Sequence, residues 1–199
     1  MANISAPAGF IPCDHLGTAY APTLRKVVFA ASDGTAAYKG SLVKFTGAMD
    51  TDGVTPVVTL ASPSDTKIAG AIVSVAYGVD TGFTTYYRLA STRTYAYIPT
   101  DPQQLYQVQE NSVGGGGTGG NIDQATKVGD NCNFTAESGD TTYGTSTMQL
   151  DSATAANTAA LPIRLWSVAN RIDNDPTSTN RVWIVKINQN AYDNTTGAN

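Results

Sequence analysis

Residues 182–188 read Val-Trp-Ile-Val-Lys-Ile-Asn, and their spacing sets the fold class. Trp183, Val185 and Ile187 recur at every second position, so an extended chain carries them on one face, whereas a helix would scatter them. The same period recurs upstream. Ile163–Ala169 alternates around Leu165, and Leu105–Gln109 sets Leu105, Gln107 and Gln109 against Tyr106 and Val108. Thr84–Leu89 and Thr94–Ile98 alternate tyrosine with small or polar residues, and Lys67–Tyr77 is rich in β-branched side chains. Val54–Leu60 contains Pro56, which predicts an edge strand. Tyr38–Thr46 and Leu24–Ala31 complete the series, the latter followed by the turn pair Asp33-Gly34. About nine or ten short strands separated by Gly, Pro, Asn and Asp predict an all-β sandwich or barrel. No stretch sustains a helical period. Ser152–Ala160, rich in alanine, reads as a short helix or equally as a loop.

With 199 residues the chain has enough length for one domain with a real core. Gly114–Gly120 is Gly-Gly-Gly-Gly-Thr-Gly-Gly, a composition that loses much entropy on ordering. The part after it has too few strong strands to close a core alone, so the run is expected to be a flexible surface loop within one β domain, 24–199. Residues 1–23 carry Pro7, Pro12 and Pro22, which disfavour regular pairing. They are expected to form an extended N-terminal arm with apolar anchors at Phe10, Ile11 and Leu16. Such an arm reaches a neighbouring subunit or lies tucked on its own domain, and composition does not choose between the two.

Charged residues make up only 14% of the chain, and Thr, Ser, Asn, Ala and Gly take their place. A neutral, hydroxyl-rich surface suits a protein that sits beside identical copies. The twelve basic residues are scattered and the net charge is −4, which argues against a nucleic-acid partner. No apolar run approaches a membrane span, and residues 1–7 lack the pattern of a signal peptide. Synthesis in a cytoplasm is therefore expected, and the glycosylation sequons at Asn3, Asn133 and Asn194 read as chance.

Reactive residue types are sparse. Cys13 and Cys132 are the two cysteines, and one bridge between them is the most they allow. Cys13 and His15 would share a strand face, but the paired spacings of a zinc site are missing, and a Cys–His nucleophile needs the two groups to meet. His15 is the sole histidine, and no Gly-x-Ser-x-Gly elbow accompanies it. The glycine run matches Gly-x-Gly-x-x-Gly at Gly114, Gly116 and Gly119 without the following helix that gives the motif meaning. Asp173-Asn174-Asp175 lacks calcium-loop spacing and reads as an Asx turn. Trp166 and Trp183 read as core residues rather than a sugar platform. No cofactor, metal or catalytic residue is expected.

Several fragments, in order, resemble the decoration (cement) proteins of tailed bacteriophages. They are Ala6-Pro7-Ala8-Gly9-Phe10-Ile11-Pro12 with His15-Leu16-Gly17, Ile68-Ala69-Gly70-Ala71-Ile72, Tyr95-Ala96-Tyr97-Ile98-Pro99-Thr100-Asp101-Pro102, Leu105-Tyr106-Gln107-Val108-Gln109, Gly144–Asp151 and Val182–Ile187. The glycine run is not part of that likeness. The resemblance implies a β-barrel or jelly-roll-like domain that sits on the outer capsid surface at subunit junctions. It implies the major capsid protein and further copies of itself, as dimers or trimers, as partners. It also implies a virion location and no catalytic residue. The alternatives are another virion part, such as a head-fibre base or tail protein, and a carbohydrate-binding β-sandwich.

Overall fold

The computed structural model describes residues 3–17, 19, 22–78 and 85–193. The sequon at Asn194 and the start of the strand expected from Thr84 lie outside them. The fold is all-β. Among the described residues, twelve strands form two six-stranded sheets. The first sheet orders β1 (Ile11–His15), β8 (Gln104–Gln109), β12 (Val182–Ile187), β11 (Ile163–Val168), β9 (Asn131–Phe134) and β10 (Leu150–Ala156). The second orders β5 (Gly70–Ala71), β3 (Leu42–Met49), β4 (Pro56–Leu60), β2 (Leu24–Phe29), β7 (Thr94–Pro99) and β6 (Ser74–Gly78).

Period two explains the first sheet. Trp183, Val185 and Ile187 of β12 point inward, as the sequence predicts, and Trp183 is completely buried. Beside them lie Tyr106 and Val108 of β8, paired with Val185 and Trp183. Leu42, Ile68 and Ala71 from the second sheet's side close this core, so it is shared between the sheets. A second core, with Val27, Phe29, Val58, Ile72, Ala96 and Ile98, belongs to the second sheet alone. That sheet rolls around it. Gly70 of β5 comes so close to β7 that a Cβ there would stand 2.5 Å from the Pro99 carbonyl oxygen. The domain is thus a sandwich whose second sheet curls into a half-barrel.

Several expectations are corrected. Pro56 does not mark an edge: β4 pairs with β3 on one side and, in parallel, with β2 on the other. Pro56 is the first residue of its strand, and β2 engages only Val57 and Val58, so the missing N–H costs no ladder bond there. Residues 85–89 make only an isolated bridge, Ala37 to Arg88. Arg88 is buried and its guanidinium holds the 30–35 turn through the carbonyls of Ala30 (2.9 Å), Asp33 (2.7 Å) and Thr35, with its Nε on Thr92 (3.1 Å). Residues 152–156, read as helix or loop, belong to edge strand β10.

The glycine run lies at the surface. It folds back on itself through Gly115 N–H to Gly120 O (2.8 Å) and Gly117 N–H to Asn121 O (2.8 Å), around a single 3-10 turn at Thr118–Gly120. A Cβ on Gly115 would lie 2.1 Å from Asn121 O, so the close approach requires glycine there. A buried ion pair braces the exit of this loop. Arg181 Nε donates to Glu110 Oε1 (2.7 Å), Nη1 to Pro176 O (3.0 Å) and Nη2 to Ile122 O, while Glu110 Oε2 accepts the Ile122 N–H (2.8 Å). Strands from both sides of the glycine run share the first sheet.

Candidate functional site

Residues 3–17 lie tucked on their own domain. Phe10 is completely buried, edge-on to the rings of Tyr106 (6.5 Å) and Phe134 (6.2 Å). As an anchor reaching a neighbour it is therefore corrected to an internal anchor, because its ring is already in the shared core. Gly9, at a left-handed φ of 69°, lets the chain cross against Gly40, and Phe10 N–H bonds Gly40 O (2.9 Å). Beyond this crossing the chain enters β1, which pairs antiparallel with β8 and bulges at Cys13. This edge is blunted: Pro12 has no N–H, and Asp14 Oδ1 accepts the His15 N–H (2.8 Å). Leu16 is half-buried, with its N–H on Gln103 O (3.1 Å).

Two side-chain amides tie down residues 3–6 by imitating a strand ladder. Asn3 pairs with the Asp175 backbone in both directions (3.0 and 2.7 Å). Gln109 donates to Ile4 O (2.9 Å) and accepts the Ala6 N–H (3.0 Å). Opposite runs the β11–β12 connection, equally fixed. Asn174 Nδ2 donates to Ala169 O (2.7 Å) and Val182 O (3.0 Å), and its Oδ1 accepts Val182 N–H (2.9 Å). Arg171 clamps Asp173 with two bonds (2.9 and 2.5 Å), and that hydrogen bonding holds the Asp173 carboxyl below the usual carboxylate range.

Between the two segments lies a groove of about 550 Å³, walled by Ile4, Ala6, Ala8, Ile11, Ile172 and Val182. Ile4 is 80% exposed, Ile11 43%, and Ile172 stands fully in water. Isoleucine is normally buried, and here hydrogen-bonded turns hold three around one cleft. The apolar character continues across the outer sheet face, where Ile11 and Ile184 flank Gln107 in register. Fully burying an isoleucine contributes roughly 1.5–3 kcal/mol, so a partner that covered this rim would gain a substantial anchor. Of the anchors expected from sequence, only Ile11 stands on the rim. Ile4 and Ile172 were not singled out. The signal for Ile172 is a lone large apolar residue inside a turn-forming polar run, Arg171 to Pro176.

The other candidates are spread apart or spent. Cys13 and Cys132 are free thiols, the second fully buried. Burial, reinforced by Asp14, pushes the Cys13 thiol up to about 11, and a thiol must be a thiolate to attack. His15 Nε2 lies 2.7 Å from Asp101 Oδ2, pinning β1 to the turn before β8. Asp173, Asn174 and Asp175 form the turn just described, and among the described residues no cluster of three or more His, Cys, Asp or Glu could hold a metal ion. Trp166, expected in the core, is instead 48% exposed. It is the bulge residue of β11, between the pairs Leu165–Val185 and Ser167–Ile184, and a bulge re-aims its side chain. Among the described residues no helix is long and apolar enough to cross a membrane. No family model matches this sequence, and neither a curated protein nor a solved structure matches it.

Proposed function

We propose that this chain is a virion structural protein that binds the outer surface of a phage capsid and stabilises capsomer junctions. The observation that carries the reading is the groove rimmed by Ile4, Ile11 and Ile172, which rigid turns hold open to solvent. Its wall includes Ala6, Ala8 and Ile11, from the fragment that opens the resemblance to decoration proteins. Contiguous exposed apolar surface marks a protein contact site, and the sparse charge of the remaining surface lets copies crowd on a shell. Each occupied junction adds buried apolar area. If the junction exists only in the expanded shell, binding stabilises that state by mass action.

Co-sedimentation with expanded shells of the major capsid protein tests the reading. The wild-type chain is expected to pellet with the shells. Ile172→Asp is expected to weaken binding about 10-fold or more, since a rim isoleucine is replaced by a charge that must be desolvated. A wild-type chain that stays in the supernatant, or an Ile172→Asp variant that binds as wild type, overturns it.

A further inference from the structure

The groove rimmed by Ile4, Ile11 and Ile172 has a middle unlike its rim. Ile4, Ala6 and Ala8, at every second position, all line it, as one face of an extended chain does. Ile11 follows them, and Ile172 comes from the β11–β12 connection. The two alanines leave open the space that larger side chains would fill, so the cleft of about 550 Å³ is a socket with aliphatic edges.

The polar residues of the wall have little left to offer a ligand. Both amide hydrogens of Gln109 are used, on Ile4 O and Asn180 O (both 2.9 Å), and its oxygen holds the Ala6 N–H (3.0 Å). Asn174 spends both of its hydrogens on Ala169 O and Val182 O, and Asn3 pairs both ways with the Asp175 backbone. An amide whose hydrogens are used has no donor for an incoming acceptor. The charges are engaged as well. Arg171 holds Asp173 through Nε (2.9 Å) and Nη2 (2.5 Å) and Gln107 through Nη1 (3.1 Å). Asp175 Oδ1 accepts the Thr177 N–H (2.8 Å) and hydroxyl (2.7 Å). A charge brought into this cleft would lose water to meet only groups that are already bonded. The electrostatic complement of such a wall is therefore an uncharged surface. Its volume lies within the range that takes a compact group, and aromatic side chains are the large anchors that fill such pockets at protein contacts. We propose that the groove is a socket for one aromatic side chain presented by an uncharged segment of the partner. The inference deepens the capsid reading and rests on it for the partner's identity, the shell protein.

Ligand-observed NMR and calorimetry on the full chain, with indole and its charged counterpart indole-3-acetate as probes, test the socket. Indole is expected to bind in the millimolar range, and indole-3-acetate at least about 5-fold more weakly, because its carboxylate must be desolvated. Ala6 is exposed and holds Gln109 through its backbone N–H. Ala6→Leu is therefore expected to keep the wild-type melting temperature while it fills the socket and weakens indole binding about 10-fold. The same variant is expected to bind expanded capsid shells about 10-fold more weakly in co-sedimentation. The socket is overturned if indole does not bind, if indole-3-acetate binds as well as indole, or if Ala6→Leu binds indole as wild type. The two readings fail separately. A chain that binds indole but stays in the supernatant with the shells keeps the socket and loses the capsid reading. A chain that pellets with the shells, in wild-type and Ala6→Leu form alike, and binds no indole keeps the capsid reading and loses the socket.

Discussion

Removing one half of the Glu110–Arg181 pair is the sharpest test of how this fold is braced. Both side chains are almost completely buried, at 0% and 4% exposure. The pair joins the end of β8, the start of β12 and the backbone of Ile122 that closes the glycine-rich loop. Glu110→Gln keeps the size of the side chain and an oxygen for the Ile122 N–H, but strands the Arg181 guanidinium as an uncompensated buried charge. Breaking a buried pair in this way costs about 3–5 kcal/mol. For a domain of this size each kcal/mol lowers the melting temperature by roughly 2–4 °C, so a fall of roughly 6–20 °C is expected. Differential scanning calorimetry of the variant, of Arg181→Met and of the double variant supplies the measurement. The two single effects are expected to exceed what the double variant requires by more than about 1 kcal/mol, because both report one interaction. A melting temperature within roughly 2 °C of wild type for Glu110→Gln, or strictly additive effects, refutes the bracing role.

Further outcomes follow from the same geometry. Gly115→Ala puts a Cβ 2.1 Å from a backbone oxygen, whereas Gly116→Ala meets nothing within 4 Å. Urea unfolding is expected to show a loss of about 1–3 kcal/mol for the first and a change within about 0.5 kcal/mol for the second. The Asp52 carboxyl is held down to about 2 by the hydrogen bond from Thr55 Oγ1 and by the backbone N–H groups of Thr55 and Val54. A carboxylate depressed in the folded state adds stability that is full above its unfolded pKa, about 3.9, and is lost as the pH falls through about 2. Asp52→Asn is therefore expected to flatten the acid limb of a stability–pH curve and to leave its shape above pH 5 unchanged, as equilibrium urea midpoints at stepped pH would reveal. Cys132, fully buried and with its thiol pushed well up by that burial, is expected to resist iodoacetamide until the chain unfolds. Cys13, raised to about 11, is expected to react slowly at pH 8. Rapid labelling of Cys132 in the native protein, read by mass spectrometry, would contradict the packing.

The fold class was legible because three central strands carry their core residues at strict period two. Trp183, Val185 and Ile187 announce β12, and Tyr106 with Val108 and Ala96 with Ile98 do the same for its counterparts. The strands not recognised lack that signal. β9 is Asn131-Cys132-Asn133-Phe134, and its asparagines carry side-chain bonds rather than bulk: Asn131 Nδ2 reaches Thr158 O at 2.7 Å. β10 is mostly Asp, Ser, Thr and Ala, and is positioned by tertiary bonds such as Ser152 N–H to Asn111 Oδ1 at 3.1 Å. β1 was hidden by Pro12, which the edge position tolerates. The glycine run reads from composition as a matter of entropy, and the structure adds a steric reason for two of its residues: Asn121 O and Ser112 O leave no room for a Cβ at Gly115 and Gly120. In the candidate site only Ile11 was legible. Ile4 and Ile172 acquire their meaning from Asn3 pairing with Asp175, a contact across almost the whole chain that no local pattern encodes.

Quantitative mass spectrometry of purified phage particles, giving the copy number of this chain relative to the major capsid protein, tests the central claim most directly. A protein that docks at capsomer junctions over the whole shell is expected at a ratio near one or at a simple fraction of it. A ratio of a few per cent, as for a tail or fibre component, or the chain's absence from the particles, would contradict the account.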